Sequence, residues 1–344
     1  MKSPKILLQN IGLDIAKNTF VACIGFLLED LSKQYQRAKE FSNDLQGFEA
    51  FLKWAQTMIN SSAKLQFTME ATGVYHQRLA YYLHQKNYQV SVVLATHAKH
   101  FKESQPQNSK NDILDAQSLA TMGLERQLPR WQPLSPFYKE LKEFTRERTA
   151  LCELKTVITN QLKALDHAVN SSPRRRKIVE ERLQFVKGQI KEVEKNIKKH
   201  LNSKADVKQK VAHLLSIPGV GITVVATVLA ETNGFGNVKN KRQLIAYPGL
   251  ALKENRSGDF KGKNHIIRKG NKHIKRVFFF PPFVAKGKDE HIDDFYQRVI
   301  KKYPSGKAAG MALARKMLGI MYALWKNNTA YEPQFNCVGG NEAP

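Results

Sequence analysis

Cysteine is scarce in this chain. There are three, Cys23, Cys152 and Cys337, far apart and odd in number. That spacing fits neither a zinc site nor a disulfide framework, so a reducing, cytosolic setting is expected. Long apolar runs are also missing. SIPGVGITVVATVLA and VFFFPPFVA are too short and too interrupted to span a bilayer. The start, MKSPKILLQNIGLDIAK, has too short an apolar run for a signal peptide. No internal repeat or low-complexity tract is visible.

Negative charge is the third shortage. Asp and Glu number 30 against 55 Lys and Arg, a formal net charge of +25. Such an excess calls for a polyanionic partner, because basic groups gain affinity by displacing counterions from phosphates. A membrane surface is the competing polyanion, but no basic amphipathic terminal helix argues for it. With 42% hydrophobic residues the chain can build real cores. Its 344 residues are too many for one ordinary core.

Four regions follow from the patterning. Residues 1–132 alternate strands and helices, as in an α/β domain with a mixed sheet. Strands are expected at Ile11–Ile15, through TFVACIGFLL, from Leu65 to Glu70, and over 89–95. Helices are expected over 42–58, 75–85 and 112–124. Residues 133–206 carry two apolar stripes, one through Leu151, Leu154, Ile158, Leu162 and Leu165, the other through Val179, Leu183, Val186, Ile190, Val193 and Ile197. They predict a long helical hairpin, coiled-coil-like, turning at Ser171–Pro173. Spacing alone does not choose between a hairpin packed on its own domain and a dimerising one. Residues 207–330 form a mainly helical unit with a last helix over 308–325, and 331–344 a frayed tail. The fold class is therefore α/β plus α.

Against the basic background, four acids stand in apolar surroundings: Asp14 in GLDIAKNTF, Glu70 ending LQFTME, and Asp112 and Asp115 in KNDILDAQSLA. Asp112 and Asp115 share one helix face. Asp14 and Glu70, on strands, could meet them at one sheet edge. Magnesium takes oxygen ligands, and two such ions can activate an attacking oxygen and neutralise a leaving one at a phosphodiester. Taken singly, each acid has an ordinary explanation as a helix cap, a solvated face or a salt-bridge partner.

Pro218-Gly219-Val220-Gly221 joins two apolar helical stretches, as a helix-hairpin-helix does. Gly219 and Gly221 would let backbone N–H groups approach a phosphate; the alternative is a tight turn that binds nothing. Beyond it, Arg256-Ser257-Gly258 lies among Lys253, Lys261, Lys263, Arg268, Lys269, Lys272, Lys275 and Arg276. A serine gripped against a phosphate by cations can attack phosphorus, though Ser-Gly in a basic loop is ordinarily just a loop.

GLDIAK, MEATGVYH, the aspartates of SKNDILDAQSLA, the long-helix segment, LLSIPGVG, YPGL–RSG and IIRKGNKHIKR occur in the order found in one family. The chain resembles the DEDD insertion-sequence transposases of the IS one-ten group, with its IS eleven-eleven branch. The resemblance covers most of the chain. It implies a RuvC-like, RNase H-type N-terminal domain, magnesium held by Asp14, Glu70, Asp112 and Asp115, and Ser257 as a nucleophile that forms a phosphoserine link to DNA. It further implies donor and target DNA and an element-encoded bridge RNA as partners, in a homodimer or homotetramer. Nucleic-acid contacts would fall on Gly219, Gly221, Arg256, Lys261, Lys263, Arg268, Lys269, Lys272 and Arg276. Thr96-His97, Asn111, Lys275 and Pro281-Pro282 depart from the family pattern, and the prolines are expected to interrupt a helix. Two other readings stay open: a junction nuclease that uses the carboxylates and water alone, and a non-catalytic nucleic-acid-binding protein.

Overall fold

The computed structural model describes residues 5–60, 63–105, 111–169, 172–253, 256–257, 260–261, 265–266 and 269–333. The chain divides into two units, Met1–Pro133 and Leu134–Pro344.

The first unit opens with an antiparallel meander, β1 (Ile6–Ile15), β2 (Thr19–Leu28) and β3 (Lys33–Tyr35), followed by β4 (Lys39–Ser42), which also pairs with β2. Then come α1 (Leu45–Met58), β5 (Lys64–Glu70), α2 (His76–Gln85), β6 (Gln89–Val93), α3 (Ala95–Glu103) and α4 (Asp112–Glu125). The strand order is β3-β2-β1-β5-β6. β5 lies parallel to β1 and β6 parallel to β5, so the sheet is mixed as expected. Both faces of β1 are covered, and alternation decides which residue meets which layer. Ile11, Leu13 and Ile15 enter the core with Phe20, Phe48, Phe51 and Phe67. Phe20 and Phe51 meet edge-on, their ring centroids 5.3 Å apart. The opposite face of β1 carries Asn10, Gly12 and Asp14, against α4.

Several boundaries differ from expectation; β1, for one, begins at Ile6 rather than Ile11. The helix foreseen from 42 starts at Leu45, because Asp44 caps it by accepting from the Gly47 N–H at 2.8 Å; Ser42 belongs to β4. The strand foreseen to 95 stops at Val93 and α3 follows, a short helix with only Ala98 and Phe101 buried. The edge strands β3 and β4 went unforeseen, since Lys33, Lys39 and Glu40 leave them little apolar pattern.

The second unit begins with α5 (Pro136–His167) and α6 (Pro173–Asn202), packed on each other along a seam of Ile158, Leu165, Val179, Val186 and Ile190. Their lower ends, through Phe137, Leu141, Ile197 and Leu201, join the core of the helices that follow. These are α7 (Ala205–Leu215), α8 (Ile222–Thr232) and α9 (Lys241–Ala246). Four two-residue strands come next: β7 (Leu252–Lys253), β8 (Arg256–Ser257), β9 (Phe260–Lys261) and β10 (His265–Ile266). The unit closes with α10 (Lys272–Val277), α11 (Pro281–Ala285), α12 (Glu290–Lys302) and α13 (Gly306–Asn327). Pro281 and Pro282 do interrupt the helical run, but by starting α11. In a first turn the missing N–H has no partner to lose. Among the described residues no helix is long and apolar enough to cross a membrane.

Candidate active site and nucleic-acid interface

The sheet register brings the acids together. Leu13 pairs with Met69 across parallel β1 and β5, so Asp14 and Glu70, each one step further, lie side by side near the C-terminal ends of neighbouring strands. Helix α4 then crosses the row Asn10–Gly12–Asp14. Asn10 Nδ2 donates to the carbonyls of Ala120 at 2.9 Å and Leu119 at 3.3 Å. A Cβ on Gly12 would lie 2.0 Å from the Ala116 carbonyl oxygen. Two strand residues advance about 6.7 Å and four helix residues about 6 Å, so the next step carries Asp14 to the start of α4, at Asp112 and Asp115. Glycine is required at both contact points. A Cβ on Gly123 of α4 would sit 2.1 Å from Asn10 Nδ2 and 2.5 Å from Thr68 Oγ1.

The electrostatics agree with this convergence. Burial pushes the Asp14 carboxyl up from an ordinary 3.8 to about 6, and the charges of Asp115, Asp112 and Glu70 push the same way. Glu70 is likewise raised, by burial first and then by Asp115. Asp14, Glu70 and Asp115 are half-buried, and Asp112 is exposed at the first turn of α4, where Asn111 caps the Ile113 N–H at 3.0 Å. Lys102 of α3 donates to Asp115 and opposes the upward shift at Asp14. Asn43 ties the two strand ends from behind. Its Nδ2 donates to the carbonyls of Ala16 at 3.0 Å and Tyr75 at 3.2 Å, in the segments that follow Asp14 and Glu70.

Four carboxylates, mutually repelling and three of them half-buried, are a hard-oxygen donor set suited to a divalent cation. Among the described residues no three such side chains are drawn closely enough to hold one ion. Asp115 is turned to Lys102 instead. Sequence reasoning found the acids and missed Lys102, Asn43 and Asn10. The glycines Gly12, in a strand, and Gly123, in a helix, were the available signal.

In the second unit, Ser257 lies in β8, where it pairs with Phe260 of β9, and Arg256 pairs with Lys261. Lys263 and Arg268 lie outside the described residues. Lys269 and Lys272 are exposed, and Arg276 forms an ion pair with Glu153 of α5. Gly219 has φ +78°, and a Cβ there would lie 2.6 Å from the Pro281 carbonyl oxygen, so packing on α11 already demands glycine. A Cβ on Gly221, at the head of α8, would meet nothing within 4 Å. Beside this turn a cleft of about 470 Å³ is lined by Arg148, Thr149, Thr223, Arg276 and Phe280 among others.

Residues 11–168 match the family model for DEDD transposases of the IS110 type, and residues 211–297 match the model described as Transposase IS116/IS110/IS902 family. The pilin gene-inverting protein of Moraxella bovis is 25% identical over 328 residues, 95% of this chain and 98% of that protein. The transposase for insertion sequence element IS1328 of Yersinia enterocolitica is 24% identical over 225 residues, 58% of this chain and 64% of that one. Among solved structures, T. thermophilus RuvC in complex with a Holliday junction substrate aligns over 36% of this chain and 99% of its own, at 7% identity and TM-score 0.27. Two family models between them span most of the chain, and full-length relatives accompany them: the chain belongs to the IS110 family of transposases and recombinases.

Proposed function

We propose that this DNA transposase/recombinase cuts and rejoins DNA with two sets of groups, the acid row Asp14–Glu70–Asp112–Asp115 and the serine of β8. The convergence of the four acids at one end of β1 and β5 carries the reading. The sheet order, an antiparallel meander extended by two parallel strands, supports an RNase H-type, RuvC-like first unit. Asp14, Glu70, Asp112 and Asp115 would hold Mg2+, which supplies charge neutralisation at the phosphate when bound. Asp14 and Glu70 must be ionised for this, and their mutual repulsion is what a cation relieves. Ser257 Oγ attacks phosphorus. The new O–P bond forms as the bond to a deoxyribose oxygen breaks, and the hydroxyl proton passes to a base.

The net charge of +25 supports polyanionic partners, donor and target DNA with an element-encoded bridge RNA. Sequence choice would then rest on base pairing rather than on side chains. The exposed Lys269 and Lys272, with Gly221, Arg256, Lys261, Lys263, Arg268 and Arg276, would hold phosphates. The α7–α8 turn is read as helix-hairpin-helix, and the α5–α6 hairpin as the coiled coil of a homodimer or homotetramer. A cytoplasmic, nucleoid-associated location follows from these partners.

Asp14→Asn and Ser257→Ala should each abolish strand exchange and leave RNA binding intact. Normal recombination by Ser257→Ala would show that the nucleophile is misassigned. A carboxylate-only nuclease remains the second reading, because the acids occupy one unit and Ser257 the other. It predicts cleavage with no protein–DNA adduct.

A further inference from the structure

Glu231 of α8 is 1% exposed and takes no part in the chemistry above. Its carboxylate accepts from Arg146 Nε at 3.0 Å and Nη2 at 3.3 Å, with Lys142 Nζ at 3.4 Å. Burial works against its charge, but the Arg146 hydrogen bonds and the Lys142 and Arg146 charges hold its pKa below the ordinary glutamate value. Its remaining bonds reach further along the chain. Asn271 Nδ2 donates to Glu231 Oε2 at 2.8 Å, and the Tyr247 hydroxyl donates to the Glu231 backbone carbonyl at 3.1 Å.

Tyr247 and Asn271 bracket residues 248–270, the segment that contains Ser257. They are joined to each other as well, since the Asn271 N–H donates to the Tyr247 carbonyl at 2.8 Å. Just inside them the backbones touch. A Cβ on Gly270, at φ +151°, would lie 2.3 Å from the Gly249 nitrogen. Next, Leu252 pairs with Ile266 and Lys253 with His265, and then Arg256 with Lys261 and Ser257 with Phe260. Its described strands pair as two short ladders, a ribbon whose base, at Tyr247 and Asn271, rests on Glu231. Ladders of two residues have little stability of their own, so a charge-assisted anchor at the base matters more here than in a broad sheet.

We propose that Glu231, Asn271 and Tyr247 form a clasp that positions the ribbon bearing Ser257. They are positioning residues, and the proposal rests on the reading of Ser257 as nucleophile. Asn271 also caps α10, its Oδ1 accepting from His273 and Ile274 N–H. Asn271→Asp keeps that cap, removes the donor to Glu231 and sets two like charges together. Tyr247→Phe removes one hydroxyl and nothing else.

The full-length protein with its RNA, Mg2+ and a plasmid carrying the element's own ends would be compared in both variants by three measurements. These are amide hydrogen exchange at Leu252 and Ile266, duplex affinity by anisotropy, and single-turnover formation of the protein–DNA adduct. Asn271→Asp should speed exchange and slow adduct formation by about tenfold or more, the effect of one lost charge-assisted hydrogen bond. Duplex affinity should hold, which a general loss of structure would not allow. Tyr247→Phe should move both rates the same way by less, and it carries the test if Asn271→Asp does not fold. Unchanged exchange at Leu252 and Ile266 overturns the clasp whichever way the serine test falls. Faster exchange with an unchanged adduct rate overturns its positioning role. An adduct formed by Ser257→Ala, run in parallel, overturns the nucleophile reading separately.

Discussion

Gly12 of β1 lies so close to Ala116 of α4 that a Cβ there would stand 2.0 Å from the Ala116 carbonyl oxygen and 2.2 Å from the Ala120 nitrogen. Both neighbours are backbone, so neither can move aside by changing rotamer. The contact fixes how far α4 descends onto the sheet, and therefore where Asp112 and Asp115 meet Asp14. Gly12→Ala should lower the stability of the first unit by about 1–3 kcal/mol or more, as overpacked cores do. It should also weaken divalent-cation binding. Urea unfolding followed by Trp54 and Trp131 fluorescence would check the first effect and calorimetry with Mn2+ the second. A Gly12→Ala protein of wild-type stability would contradict this packing.

Asp14 makes stability fall with pH. Its folded pKa, about 6, lies above the ordinary 3.8, so the folded state holds the proton more tightly. The stabilisation is present at low pH and is lost as pH rises through the window from 3.8 to about 6. Without divalent cation, unfolding midpoints should decline across that window, and Asp14→Asn should flatten the decline. Because metal and proton compete for the carboxylate, Mn2+ affinity should rise as pH passes 6.

Lys102 is an internal cation within the acid row. Lys102→Met leaves the four acids without it, so it should tighten Mn2+ binding severalfold, in line with ~1 kcal/mol for a partly exposed pair. Titration calorimetry at pH 7.5 decides the matter; weaker binding in the variant would mean that Lys102 orients Asp115 rather than competing for it.

The two glycines of the α7–α8 turn should separate. Gly219→Ala meets Pro281 at φ +78° and should destabilise the second unit. Gly221→Ala has open space and should leave thermal stability unchanged. If the backbone at the head of α8 meets a phosphate, Gly221→Ala weakens duplex binding. Anisotropy against salt separates that loss from a general charge effect.

The parts of this fold that were legible in the sequence are those with strong periodicity. Ile11, Leu13 and Ile15 marked a strand with two distinct faces, and the seam from Val179 to Ile197 marked a long helix. The acids were visible as exceptions to the charge balance. Lys102 was not, because one lysine among 55 Lys and Arg carries no signal until α3 turns it toward Asp115. Glu231 was hidden likewise. It follows an apolar run in ATVLAET, and its partners Arg146 and Asn271 stand 85 positions before it and 40 after it. Contacts at that separation are set by packing, which no local pattern reports.

If the acid row and Ser257 both serve the proposed strand transfer, each is needed for a covalent protein–DNA link. The direct measurement is a denaturing gel of the protein incubated with its RNA, Mg2+ and a plasmid bearing the element's ends. A covalent protein–DNA adduct is expected in the wild type and is expected to be absent from Ser257→Ala, from Asp14→Asn and from samples treated with EDTA. An adduct that survives in Asp14→Asn or in EDTA would contradict this shared requirement.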